Sequence, residues 1–203
     1  MRPVGAPLAH LGAALVRRSM APKRARAIAS ASTSTKKPKP GDDGDATGLW
    51  LLKSEPDEFS LDDLRASPGG VAQWDGVRNA QARNLMKTMR VGDRAFFYHS
   101  SCKVPAVVGV CEVVRCAYAD PTALDPKAPG FDPKSDPTNP RWLCVDVKFI
   151  RAMRREVTLS ELRREAGDGV TGADGAKALA SMTLLHRARL SVQPVTRAEW
   201  EHV

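Results

Sequence analysis

The chain has 203 residues, of which 42% are hydrophobic, and its 31 Lys and Arg against 23 Asp and Glu leave a net charge of +8. Residues 1–41 carry nine basic and no acidic side chains, Asp42, Asp43 and Asp45 follow, and residues 48–203 hold 22 basic against 20 acidic residues. This excludes a uniformly basic domain, so any polyanion binding between 48 and 203 must come from a local site.

Residues 1–47 are rich in Ala, Ser, Thr, Arg, Lys and Pro and poor in large apolar groups, which predicts a disordered basic tail. Residues 1–34 have the style of an organellar transit peptide, with the apolar stretch Leu8–Val16 ahead of Arg17 and Arg18. Pro22-Lys23-Arg24-Ala25-Arg26 and Lys36-Lys37-Pro38-Lys39 are basic clusters of the nuclear-localisation type. Either address, or none, is compatible with the tail. No apolar run is long enough to span a bilayer. Cys102, Cys111, Cys116 and Cys144 lack zinc-ligand spacing, and Cys111 and Cys116, in apolar surroundings, are expected to be buried free thiols.

From residue 48 a domain begins. Trp50–Ser54 predicts a strand, ended by Pro56, which holds Glu55 extended. Ser60 with Asp63 predicts a capped helix, and Ser67-Pro68-Gly69-Gly70 a turn. Trp74-Asp75-Gly76-Val77-Arg78-Asn79-Ala80-Gln81-Ala82-Arg83-Asn84 then concentrates an indole, a carboxylate, three amides and two guanidinium groups. Forked, planar ends of this kind match phosphates and base edges. Asn79 is the expected N-cap; Ala82, Leu85, Met86 and Met89 recur at helical spacing as a core face, and Arg83, Lys87 and Arg90 as a basic stripe. A turn at Val91-Gly92-Asp93 leads to a strand over 95–100, and Pro105–Cys116 is a β-branched run bent at Gly109. Residues 119–141, with six prolines and four aspartates, are a long loop.

Arg141–Arg151 predicts a strand with Leu143, Val145, Val147 and Phe149 on its apolar face. Thr158 with Glu161 caps a helix ending at Gly167, and Asp174 caps another over Ala176–Leu185. Arg189–Gln193 is a final strand, placed at an edge by Pro194, and Thr196 with Glu199 opens a terminal turn. Irregular connections exclude a doubly wound parallel sheet. They favour an α+β fold in which five or six strands form a small, strongly bent sheet flanked by short helices.

Nothing in the sequence builds an enzyme. Adjacent strand residues point to opposite faces, so His99 is not placed to activate Ser100. There is no nucleophile elbow, phosphate-binding loop or dinucleotide fingerprint. Lys53-Ser54-Glu55 has an acid or base without a spaced partner.

Four segments carry a family resemblance: Trp50–Pro56, the Trp74–Asn84 segment, Phe96–Ser100, and Arg189-Leu190-Ser191-Val192-Gln193-Pro194. They resemble the EVE domain, and the likeness covers 48–203, leaving 1–47 as a targeting tail. The resemblance implies the PUA-like bent β-barrel and a non-enzymatic reader of modified cytosine in DNA, 5-methylcytosine or an oxidised derivative, with the base flipped into a pocket. It implies nucleic acid as partner, no cofactor, metal or membrane, and a monomer. Nuclear localisation fits this reading; a mitochondrial or plastid address is the alternative. On chemistry, Glu55 or Asp75 would accept from cytosine N4, and Ser54, Asn79 and His99 would complete the edge. Trp50, Tyr98 or Trp142 would stack, with Lys53, Trp74, Arg78 and Ser100 in the same site. Arg83, Lys87 and Arg90 would hold phosphates. On this basis Trp74→Ala or Arg78→Ala is expected to remove discrimination while the fold survives. An RNA-binding module and an enzyme acting on a modified nucleobase are the alternatives.

Overall fold

The computed structural model describes residues 48–167, 177 and 179–203. The expectations for the tail and for a cap at Asp174 lie outside the described residues. The elements are β1 (Leu49–Ser54), α1 (Leu61–Ala66), β2 (Val71–Trp74), α2 (Ala80–Met86), β3 (Arg94–His99), β4 (Ala106–Ala119), β5 (Leu143–Thr158), α3 (Leu159–Gly167), α4 (Thr183–His186), β6 (Val192–Pro194) and α5 (Arg197–His202). The strands form one sheet in the order β2-β5-β4-β3-β1-β6, parallel between β1 and β3 and antiparallel elsewhere.

Strand alternation divides the core in two. Leu52, Ala95, Phe97, Cys111, Val145 and Val147 enter one cluster with Trp50, Trp74, Met86 and Met89. Leu51, Phe96, Tyr98, Val107 and Val157 face the other way, onto Leu162, Leu179 and Met182. The central strands are therefore apolar on both faces, as strands covered on both sides must be. The sheet curls on itself: Trp74 of edge strand β2 meets Phe97 of β3 edge-to-face, centroids 5.3 Å apart at 89°, although β5 and β4 lie between them in the sheet. Register shifts along β4 and β5 supply the bend. Gly109 is required at one of them, because a Cβ there would sit 2.6 Å from Leu61 Cδ2, where α1 is seated. Phe96 stacks on Trp200 at 4.0 Å and docks α5.

Local signals placed most elements. The Ser60–Asp63 and Thr196–Glu199 capping boxes form, and Asn79 caps α2. The structure departs from expectation at five places. β2 is only four residues long and pairs with residues 145–148, so local pattern misses it. β5 runs to Thr158 and both its faces are buried over 143–147. Pro194 lies inside β6, which pairs only with β1, so its missing N–H breaks no ladder. Cys116 is exposed; Cys111 is buried, and burial pushes its thiol up to about 12. Of the helix expected over 176–185, Lys177, Leu179 and Ala180 are helical, Ser181 and Met182 interrupt it, and α4 resumes at Thr183 after Met182, which offers no side-chain cap.

Candidate nucleic-acid interface

Lys53, Asn79 and Gln81 come together with a segment far away in sequence. At the start of α2, Asn79 Oδ1 accepts from the Gln81 and Ala82 N–H groups at 2.9 and 3.1 Å, leaving its amide donor to face outwards. Gln81 Oε1 accepts from Arg187 Nη1 at 3.0 Å. Lys53 Nζ donates to the Ala188 carbonyl at 3.0 Å, and the Lys53 N–H to Ser191 O at 2.9 Å. Buried Gln193 holds the other side of that segment, donating to Leu190 O at 2.8 Å and Arg187 O at 3.2 Å. Together they frame a surface cleft of about 320 Å³ lined by Asn79, Gln81, His186, Arg187, Ala188, Arg189 and Leu190. Burial lowers the Lys53 pKa, and its ammonium lies 5.6 Å from the Tyr98 ring centroid. The cleft presents mainly donors, which suit phosphates and the acceptor atoms of a base edge.

One residue before Asn79, Arg78 turns the other way. Its Nη1 donates to Asp120 Oδ2 at 2.7 Å, Nη2 to Thr122 Oγ1 at 3.0 Å, and Nε to Gly130 O at 2.9 Å. The Gly76 N–H also donates to Asp120 Oδ2, at 2.9 Å, from a residue with φ +76 that favours glycine. Burial opposes ionisation of Asp120, but hydrogen bonds from Arg78, Thr122 and Gly76 outweigh it and hold the carboxyl below its usual value. A Cβ at Gly130 would sit 2.6 Å from Arg78 Nη2, so the loop needs glycine where the guanidinium lies.

Beside this clamp Trp142 is 7% exposed and donates to Asp132 Oδ2 at 2.6 Å. The guanidinium carbons of Arg78, Arg83 and Arg141 stand 5.7, 5.8 and 5.2 Å from its ring. Arg83 donates to Arg141 O at 3.0 Å and to Asn84 Oδ1, which takes it out of the expected phosphate stripe; Lys87 and Arg90 remain exposed.

The other sequence candidates divide between core and capping. Trp50 is 8% exposed and donates to buried Asp93 at 2.8 Å; Trp74 is 6% exposed among Phe59 and Phe97. Tyr98 is buried, which pushes its phenol up to about 12. The geometry places these three rings in the interior rather than on a stacking surface. His99 Nε2 accepts from the Leu61 N–H at 3.2 Å, and burial lowers its pKa, so the ring is a neutral acceptor at the start of α1. Ser54 Oγ donates to Phe59 O at 2.6 Å, and Ser100 N–H to Ser54 O at 2.8 Å. Glu55 is exposed at the end of β1, and Asp75 is half-buried after β2.

The EVE domain family model matches residues 48–203. The chain belongs to the EVE domain family. It is 44% identical to thymocyte nuclear protein 1 of Mus musculus over 167 residues, covering 77% of this chain and 72% of that one. It is similar to the solved structure of human THYN1 protein in complex with 5-methylcytosine-containing DNA, with a TM-score of 0.70, 42% identity, and coverage of 76% of this chain and 94% of the other. A hypothetical protein from Leishmania major has a TM-score of 0.67 and 45% identity, over 76% and 90% of the two chains.

Within this EVE domain the residues that sequence reasoning passed over are His186, Arg187 and Arg189. The available signal was the basic pair Arg187-Ala188-Arg189 abutting the Arg189–Pro194 family segment. Reading that segment only as a strand hid it.

Proposed function

We propose that this EVE domain is a non-enzymatic reader of modified cytosine in DNA, 5-methylcytosine or an oxidised derivative. The observation that carries the reading is the likeness to the human protein solved on 5-methylcytosine-containing DNA, over 76% of this chain and 94% of the solved one. The cleft supports it chemically. Its size lies within the range of about 300–1,000 Å³ common for small-molecule sites. Asn79 and Gln81 supply amide donors for the base acceptors; Glu55, exposed at the end of β1 and outside the cleft lining, is the proposed acceptor for cytosine N4. The exposed His186 ring offers a flat contact for the base. Lys53, Arg187 and Arg189 take the adjoining phosphates, with Lys87 and Arg90 further along α2. A binding role agrees with His99, whose Nε2 already accepts the Leu61 N–H.

Binding is to be measured on duplexes that differ only in one cytosine modification, at fixed salt. Tighter binding of the modified duplex is expected; equal affinity for plain cytosine overturns the reading. Stronger binding to the same modified sequence as RNA moves the assignment to RNA, and a change in base mass on incubation moves it to an enzyme. We propose a nuclear location, in line with the name of the relatives. Imaging a tagged chain with and without residues 1–35 checks this: an organellar signal lost on truncation assigns the tail as a transit peptide instead.

A further inference from the structure

A second cleft, of about 540 Å³, is lined by Arg151, Ala152, Met153, Arg154, Arg155, Val157 and Val203, and shares no residue with the first. It exists because β5 departs from its partner. Val107 pairs with Val157 and Gly109 with Ala152, so Val108 alone faces the four residues Met153, Arg154, Arg155 and Glu156. A bulge of this size re-aims side chains out of the sheet. The run from Lys148 to Arg155 holds four cations and no acid, in a domain whose charge is otherwise nearly balanced.

The three arginines are not equivalent. Arg155 is held by Glu161 of α3 through two contacts of 2.8 Å, which makes it a wall of the cleft. Arg151 makes only a 3.6 Å contact with Met153 Sδ. Arg154 is exposed and has no hydrogen bond or ion pair among the described residues. Ala152, Met153, Val157 and Val203 form an apolar floor. The lining contains no aromatic ring to stack a base and no amide to read one. Forked guanidinium donors at its rim fit phosphate oxygens instead.

We propose that this cleft is a second nucleic-acid contact, taken by the phosphodiester backbone of the duplex beyond the recognised base. It rests on the reader function above and adds to it a sequence-neutral anchor. Sugar C–H faces lie against the apolar floor, and Arg151 and Arg154 take the phosphates. The β5 bulge sets their direction.

The test compares the full chain with its Arg151→Gln/Arg154→Gln variant on duplexes of about 10 and about 25 base pairs, about one and two and a half helical turns. On the longer duplex, affinity should fall about tenfold at low salt, and the log–log salt slope should become less negative by about 1–2. The ratio of modified to plain affinity should not move, and the shorter duplex should respond little. An unchanged slope on the longer duplex overturns the proposal. If the slope is unchanged while the variant loses binding to a Glu-rich peptide, the cleft is an acidic-peptide site and the proposal also fails. Arg154→Gln alone, at an exposed and unpartnered position, should give about half the slope change, and decides the matter if the double variant melts early. A wild-type ratio of one, with the slope change intact, rejects base discrimination and leaves the backbone contact standing.

Discussion

Arg78 and Asn79 are neighbours in the chain and belong to different machines. Arg78 points inwards and binds the 120–130 segment through Asp120, Thr122 and Gly130. Asn79 caps α2 and lines a solvent-open cleft with Gln81, Arg187 and Arg189. Both regions are polar and arginine-bearing. In the clamp, guanidinium and carboxylate satisfy each other within the chain. In the cleft, Arg187 has one bond to Gln81 and is exposed, so most of its donors face solvent. A polar residue type in a motif is therefore not evidence of ligand contact; how fully its hydrogen-bonding capacity is used within the fold separates the two cases.

The largest expected effects break the clamp side. Trp74→Ala empties the core between Phe59 and Phe97 and should cost about 3–5 kcal/mol, read by chemical denaturation. Arg78→Ala leaves the fully buried Asp120 carboxylate its Gly76 and Thr122 donors but no countercharge; loss of a hydrogen bond to a buried charge costs about 1.5–3 kcal/mol. Both reverse the expectation that discrimination would vanish with the fold intact: stability should fall first. An Arg78→Ala protein that melts like the wild type would show that the 120–130 loop is held by something else.

Gly130→Ala is a gentler cut at the same place. The end of Arg78 is pinned by three partners and cannot step aside for the new methyl, so a cost of about 1–3 kcal/mol is expected. Unchanged thermal melting would mean that the guanidinium yields easily.

Arg187→Ala should do the opposite of Arg78→Ala. Binding to the modified duplex should drop about tenfold, equal to 1.4 kcal/mol, with stability within about 0.5 kcal/mol of wild type, as for exposed sites in general. If melting falls and binding holds, the cleft is structural and the contrast with the clamp collapses.

The smallest effect is on pH. The folded pKa of His99 lies below its ordinary 6.5 because of burial. Below that value the unfolded chain binds a proton that the folded chain resists, so stability declines as the solution is acidified. His99→Gln keeps an acceptor for the Leu61 N–H without the titration. Its melting temperature should fall less than the wild type's between pH 7.5 and 5.5; parallel curves would remove His99 from the account.

Elements with local causes were legible in the sequence: the Ser60 and Thr196 capping boxes, the Asn79 cap, the β-branched β4 and the edge position of β6. These depend on hydrogen bonds and side-chain periods within a few residues. The bent sheet and its family were legible as well, because motifs such as Trp50–Pro56 are long enough to be specific. The proposed site was legible only in part. Lys53 and Asn79, which border the proposed cleft, stood among the candidates read from the sequence, whereas Arg187 and Arg189 did not, because 106 residues separate Gln81 from the arginine it meets.

By itself the sequence determined which groups this domain possesses: paired amides, indoles and guanidinium groups beside strand and helix boundaries. Tertiary structure alone decided which way each one faces. Trp50 and Trp74 entered the core because the curled sheet buries that face, and Arg78 was drawn to Asp120 because a buried carboxylate requires a partner. The outward-facing remainder, at the cleft beside α2 and at the bulge of β5, is set by strand register and long-range pairing. Those interactions join positions that no local window contains.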